Sequence, residues 1–268
     1  MDTDAQNNIV QSRTGGVLTV TLDRPARRNA INLGMFDELR SAFEEVALDS
    51  SVRVVVLRGA GGNFCSGGDL APEDAPVDDK PLAERTLEVL LERCAPMARA
   101  LHRLPQPVIA AVEGVAAGAG ANLAFGCDFV LAAEGARFSE IFVRRALSLD
   151  CGGSWLLPRL VGLRRAKELA FFGDWVEAQQ ALELGLVNRV VAPAEFPAVV
   201  ADWAQRLAGR SPLALAEIKR SLDRSFATDY EDALVGEATA QAKLTASADF
   251  AEAMSAFLEK REPVFSPR

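Results

Sequence analysis

The chain has 268 residues, is 49% hydrophobic and 25% charged, and carries a net charge of −8 with a pI near 4.9. That is enough for one large domain with a substantial core. The acidity argues against a broad nucleic-acid-binding surface, which needs clustered Lys and Arg, and no run of 18 apolar residues is present to span a bilayer.

From the N-terminus, residues 1–16 (MDTDAQNNIVQSRTGG) are polar, with no basic segment leading into an apolar one, so they read as a short loose lead-in without an export or import signal. A cytoplasmic protein is expected. Val17 to Asp23 alternates apolar residues with threonine, as a half-buried strand does, and Val52 to Leu57 reads as a more deeply buried strand. Between them Met35, Phe36, Leu39, Ala42, Phe43, Val46 and Ala47 recur at three- and four-residue spacing, the stripe of an amphipathic helix. The stretch Ala71 to Lys80, acidic and interrupted by proline, reads as a mobile loop. A long helix follows through Leu87, Leu90, Leu91, Cys94, Ala98 and Leu101, then a buried strand at Pro107 to Val112, a short small-residue helix at Gly118 to Phe125 and another strand at Asp128 to Ala133. Strands alternating with helices predict a layered α/β fold. From about residue 193 the pattern is helical, with helices near 193–208, 212–225, 229–246 and 248–260. The organisation is therefore an α/β core over 1–192 and a helical region over 193–268, which needs a core or a neighbouring subunit to cover.

The four cysteines, Cys65, Cys94, Cys127 and Cys151, have no paired spacing, and His102 is the one histidine. That pattern argues against a metal site and against a disulfide scaffold. Arg24, Arg27 and Arg28 fall close together, and Lys260 and Arg261 lie near the other end; each is equally a solvated surface charge.

Two glycine-rich segments follow buried strands. In Asn63 to Leu70 (NFCSGGDL), Gly67 and Gly68 permit a tight turn and close backbone approach to a ligand. In Gly114 to Leu123 (GVAAGAGANL), small residues let a helix start close to a bound group with its first amides unpaired. Two such amides can converge on one carbonyl oxygen and stabilise negative charge on it, by roughly 3–4 kcal/mol per good donor. Either segment alone is equally a close-packing turn.

Asp23 to Asn32 (DRPARRNAIN), FCSGGDL, residues 107–128 (PVIAAVEGVAAGAGANLAFGCD), residues 150–162 (DCGGSWLLPRLVG) and residues 255–261 (SAFLEKR) resemble, in order, the signature blocks of the crotonase (enoyl-CoA hydratase/isomerase) superfamily. The resemblance implies a spiral of ββα units with a C-terminal helical region used in trimer formation, as a homotrimer or a dimer of trimers. It also implies an acyl-CoA substrate whose thioester carbonyl sits between the Gly68 and Ala119 amides, with coenzyme A entering only as part of the substrate. Carried over by position, Arg27, Arg28, Ala30, Ser66, Asp69 and Leu70 border the CoA, while Phe257 and Lys260 reach its adenine nucleotide, commonly from a neighbouring subunit. No nucleic acid, membrane or metal enters.

Hydratases of the family use two glutamates, at the positions of Asn122 and Phe142. Neither is present, and phenylalanine can neither give nor accept a proton. What remains is Asp150, which spacing alone also allows to be a loop or N-cap aspartate. Its block resembles the ring-1,2-epoxyphenylacetyl-CoA isomerase and Δ3,Δ2-enoyl-CoA isomerase branch, where an aspartate acts on the substrate. The expected reaction is therefore isomerisation, which needs one base and a stabilised enolate. Three alternatives stay open: hydration or thioester hydrolysis with Asp150, Glu140 or a positioned water; a dehalogenase-like nucleophilic Asp150, which would also want a histidine that His102 does not supply; and acyl-CoA binding without catalysis. Glu140 is expected to serve in a surface or interface salt bridge. Arg144, Arg145 and Ala146 depart from the glycine-containing family pattern. Leu87, Leu91, Phe142 and Trp155 are acyl-pocket candidates.

Overall fold

The computed structural model describes residues 8–74 and 79–265. β1 (Ile9–Thr14) and β2 (Val17–Leu22) form an antiparallel hairpin. The expected loose lead-in is thus a strand from Ile9 onward. Only Ile9 of β1 is buried, so main-chain pairing rather than apolar alternation holds this edge strand, and the sequence carries little sign of it. α1 (Leu33–Leu48) starts at Asn32, whose Oδ1 accepts from the Met35 N–H at 2.9 Å and satisfies a donor of the first turn. Its buried stripe is the expected one, Ala47 excepted.

After β3 (Val54–Gly59) the expected loop over 71–80 is described only at its two ends; residues 75–78 lie outside the described residues. α2 (Leu82–Val89) runs through one π-helical turn, Leu90–Cys94, into α3 (Ala95–His102). Pro96, which lacks an N–H and crowds the preceding turn, accounts for the wide turn before it. β4 (Val108–Val112), β5 (Val115–Ala117), α4 (Ala119–Phe125), β6 (Phe129–Ala133) and β7 (Arg137–Ser139) follow. A 3₁₀ turn at Ile141–Arg145 leads to α5 (Gly153–Phe172), β8 (Val176–Glu177), α6 (Ala178–Leu184) and β9 (Arg189–Val191). The chain ends in α7 (Phe196–Ala208), α8 (Pro212–Arg224), α9 (Tyr230–Thr245) and α10 (Ala248–Glu259), close to the four expected helices.

The main sheet has the order β1-β2-β3-β4-β6-β9, and β5-β7-β8 form a second sheet. From β2 to β9 the main sheet is parallel, and such strands bury both faces, which is why they read as unbroken apolar runs. Val54, Val56, Ile109, Ala111, Leu131 and Ala133 point to one side and pack against Phe196 and Ala204 of α7. The alternate residues, Val55, Leu57, Val108, Ala110, Val130 and Ala132, point into the larger core shared with α1, α3 and α4. The fold is the expected mixed α/β arrangement, and α7 contributes one helix of the tail to covering the sheet. On α8 to α10 and their links, large apolar side chains stay exposed, Phe257 at 75% and Leu258 at 80% among them. No described helix is long and apolar enough to cross a membrane.

Candidate active site

The glycine-rich turn after β3 is pinned on two sides. Ile31 N–H donates to Gly67 O at 2.8 Å and Asp69 N–H to Ile31 O at 2.8 Å, while Cys65 is bridged to β5 through Cys65 N–H to Val115 O and Ala117 N–H to Cys65 O, both 2.9 Å. Gly67 sits at φ +107°, and a Cβ there would lie 2.9 Å from Ala117 O and 3.8 Å from Ala119 N. The turn is therefore pressed against the start of α4 and admits only glycine at 67. Gly68, next to it, is exposed, and a Cβ there would meet nothing within 4 Å. Among the described residues its N–H donates to no other backbone group, and the Ala119 N–H, first in α4, has no acceptor in its own helix. Two amides without a backbone acceptor among the described residues thus come from adjacent segments, with open space at Gly68.

Asn122, one turn into α4, is 1% exposed, and its Nδ2 donates to the main-chain oxygen of Asp150 at 3.0 Å and to Glu140 Oε2 at 3.4 Å. Gly153 makes this possible, since a Cβ there would lie 2.3 Å from Asn122 Nδ2. Asp150 does not cap α5; the cap position is Gly152, with no side-chain bond to the helix. Cys151 at φ 47° and Gly152 at φ 85° turn the chain sharply after Asp150. The Cys151 thiol lies 2.8 Å from that of Cys94, so the fold brings together two cysteines 57 positions apart.

Asp150 is partly buried, and its Oδ1, the Glu140 Oε1 and the Asn122 Oδ1 are all buried without a hydrogen-bond partner among the described residues. Burial pushes the Asp150 carboxyl up to about 6, opposed by a hydrogen bond with Cys151. Burial pushes Glu140 further, to about 8, opposed by the bond from Asn122 and reinforced by the charge of Asp150. Glu140 is only 3% exposed and makes no ion pair among the described residues, which corrects the expected surface salt-bridge role. The sequence hint was slight: Glu140 stands between buried Ser139 and buried Phe142. Phe142 packs beside the start of α4, its ring 3.6 Å from where a Cβ on Gly118 would sit.

The segments expected to border the CoA do meet. Ser66 N–H donates to Arg28 O at 3.0 Å, Ser66 Oγ to Arg27 O at 3.2 Å, and Arg24 pairs with Asp69 at 3.0 Å while also bonding Ala30 O. Arg27, Arg28 and Leu70 are exposed. Phe257 and Lys260, at the end of α10, make no hydrogen bond or ion pair to this group. A cavity of ≈ 380 Å³ adjoins Asn122 and Cys151 and is otherwise mostly apolar, with Met97, Leu101, Leu123 and Trp155 in its wall. A larger one of ≈ 410 Å³, against α8, holds no residue of the acid cluster. Of the acyl-pocket candidates, Trp155 lines both cavities, whereas Leu87 and Leu91 are 58% and 61% exposed. The His102 ring stands edge-on to Trp155 at 5.3 Å.

The sequence profile of the enoyl-CoA hydratase/isomerase family matches residues 12–268. The chain is 41% identical over 252 residues to 1,2-epoxyphenylacetyl-CoA isomerase of Escherichia coli K12, covering 94% of this chain and 95% of that one. It is 36% identical over 264 residues to 2,3-dehydroadipyl-CoA hydratase of the same organism, covering 98% and 100%. Among solved structures, an enoyl-CoA hydratase from Bacillus anthracis superposes with a TM-score of 0.90 at 32% identity, over 97% of this chain and 100% of that one.

Proposed function

The chain belongs to the enoyl-CoA hydratase/isomerase family, within the crotonase superfamily, and from that premise we propose that it relocates the double bond of an enoyl-CoA with Asp150 as the base. The thioester carbonyl oxygen sits between the Gly68 and Ala119 amides. Asp150 takes a proton from the acyl chain, the amides hold the resulting enolate, and the same carboxyl returns the proton to another carbon. The observation that carries this reading is the composition of the acid cluster: a carboxylate with an unpartnered oxygen at Asp150, and an amide and a phenyl ring at Asn122 and Phe142. The likeness to an epoxyphenylacetyl-CoA isomerase supports it. Arg27, Arg28, Ala30, Ser66, Asp69 and Leu70 border the CoA, and Phe257 and Lys260 reach it from a neighbouring copy of the chain. The reaction draws on no cofactor beyond the CoA carried by the substrate. Asp150→Asn should lower isomerisation of a 3-enoyl-CoA panel by roughly 10²- to 10⁴-fold with little change in KM; undiminished turnover removes Asp150 from the chemistry.

Hydration or hydrolysis is the second reading. It is favoured by the buried acid Glu140 beside Asp150 and by the likeness to a dehydroadipyl-CoA hydratase. Water addition to crotonyl-CoA at roughly 1–10³ per second, as enzymes typically turn over, would establish it. Tight acyl-CoA binding with no turnover of any thioester would establish a binding protein instead.

A further inference from the structure

We propose that Glu140 is a positioning residue that works only while it carries its proton: as a neutral acid it steadies Asn122, and through Asn122 the turn presenting Asp150, without placing a second negative charge beside the base. The proposal rests on the reading of Asp150 as the base.

Three observations carry it. Glu140 is 3% exposed, and no cation pairs with it among the described residues. Its single hydrogen bond comes from Asn122 Nδ2, and that same nitrogen binds the Asp150 main-chain oxygen. Around this amide lie three buried oxygens without donors, on Asn122, Glu140 and Asp150. An ionised Glu140 would add a charge with one weak bond to a cluster already short of donors, which is costly in a buried site. A protonated Glu140 brings an O–H instead.

The surrounding groups reinforce this. From the turn before α5 come Asp150 and Cys151, and Cys94 lies against Cys151. From α3, Arg99 and His102 line the cavity that Asn122 borders. On the 3₁₀ turn after Glu140, Arg144 pairs with Asp174 and Arg145 is exposed. The charge acting on Glu140 is that of Asp150, and it adds to burial in raising the Glu140 carboxyl to about 8. Once ionised, Glu140 would disfavour both the carboxylate form of Asp150 and the enolate. The rate should therefore fall on the alkaline side, by about tenfold one unit above that value.

Two measurements test this. The first is kcat against pH for the wild-type enzyme and for Glu140→Gln, which keeps the shape but cannot ionise. The alkaline fall should be present in the wild type and less than about twofold in the variant, with the acid side unchanged. A variant that keeps the alkaline fall, or is slowed equally at every pH, would overturn the proposal in favour of a structural role. The second is an infrared titration of the protonated-carboxyl C=O band, which does not depend on which thioester reacts. The band should persist at neutral pH in the wild type and in Asp150→Asn, and vanish in Glu140→Gln. If Glu140→Gln does not fold, the band in Asp150→Asn decides: its presence at neutral pH supports the proposal and its absence overturns it. Failure of the base assignment shows separately, as full activity in Asp150→Asn.

Discussion

In the proposed reaction the reactivity of Asp150 comes from a tied backbone and a buried carboxyl, the burial opposed by the bond with Cys151. The main-chain oxygen is held by Asn122 at 3.0 Å while Oδ1 is left bare, so burial sets the carboxyl at about 6. Only the ionised form can accept a proton. On the acid side, activity should therefore rise to its plateau above that value and fall about tenfold per unit below it, whereas an unshifted aspartate would hold its rate to about 4. A pH–rate profile with no acid fall near 6 counts against the assignment. A second prediction concerns Ala146, which ends the 3₁₀ turn at φ 54°. A residue with a Cβ pays steric strain there of about 1–2 kcal/mol, and the site is exposed. After allowing for glycine's larger chain entropy, Ala146→Gly should add about 1 kcal/mol of stability, read from the urea midpoint; an unmoved midpoint would show the turn to be unstrained. At this scale Gly68, Ala119, Asn122 and Asp150 could be singled out in the sequence because each sits in a glycine-rich block that resembles a family motif. Glu140 was not, since a glutamate in a short strand-to-turn segment looks the same whether it faces water or a buried amide.

At the scale of elements, the site depends on α4 and α5 starting close together. Gly153 is the contact point, with no room for a methyl group against Asn122. Gly153→Ala should cost about 1–3 kcal/mol by overpacking and reduce turnover as Asn122 is displaced. Thermal melts and kinetics on the same preparation check this, and a variant with wild-type melting and rate would mean that α5 can shift freely. Long elements could be read from periodicity: the α1 stripe, the strands of the main sheet and the four C-terminal helices. Gly162, at φ 75° and ψ 157°, breaks the regular path of α5. β5, β7, β8 and β9, of two or three residues each, are too short to show a period, and exposed β1 is held by its hydrogen-bonded neighbour.

For the whole molecule, Phe257, Leu258, Tyr230 and Val235 are exposed on α9 and α10, and the proposed homotrimer or dimer of trimers would give such side chains a neighbour to pack against. Sedimentation should report three or six copies of the 28.7 kDa chain. A monomer at micromolar concentration would also remove Phe257 and Lys260 from a neighbour's CoA site. The expectation that Asp150 works with two unpaired amides, and the family itself, could be read from motifs that are local in sequence, because tight glycine turns and helix starts are built from adjacent residues. Local spacing could not show that Glu140 is buried against Asn122, or that Cys94 and Cys151 meet beside Asp150. Those contacts join segments from 18 to 57 residues apart, and only the packing of α3, α4 and the turn before α5 into one core determines which side chains are shut away from water together.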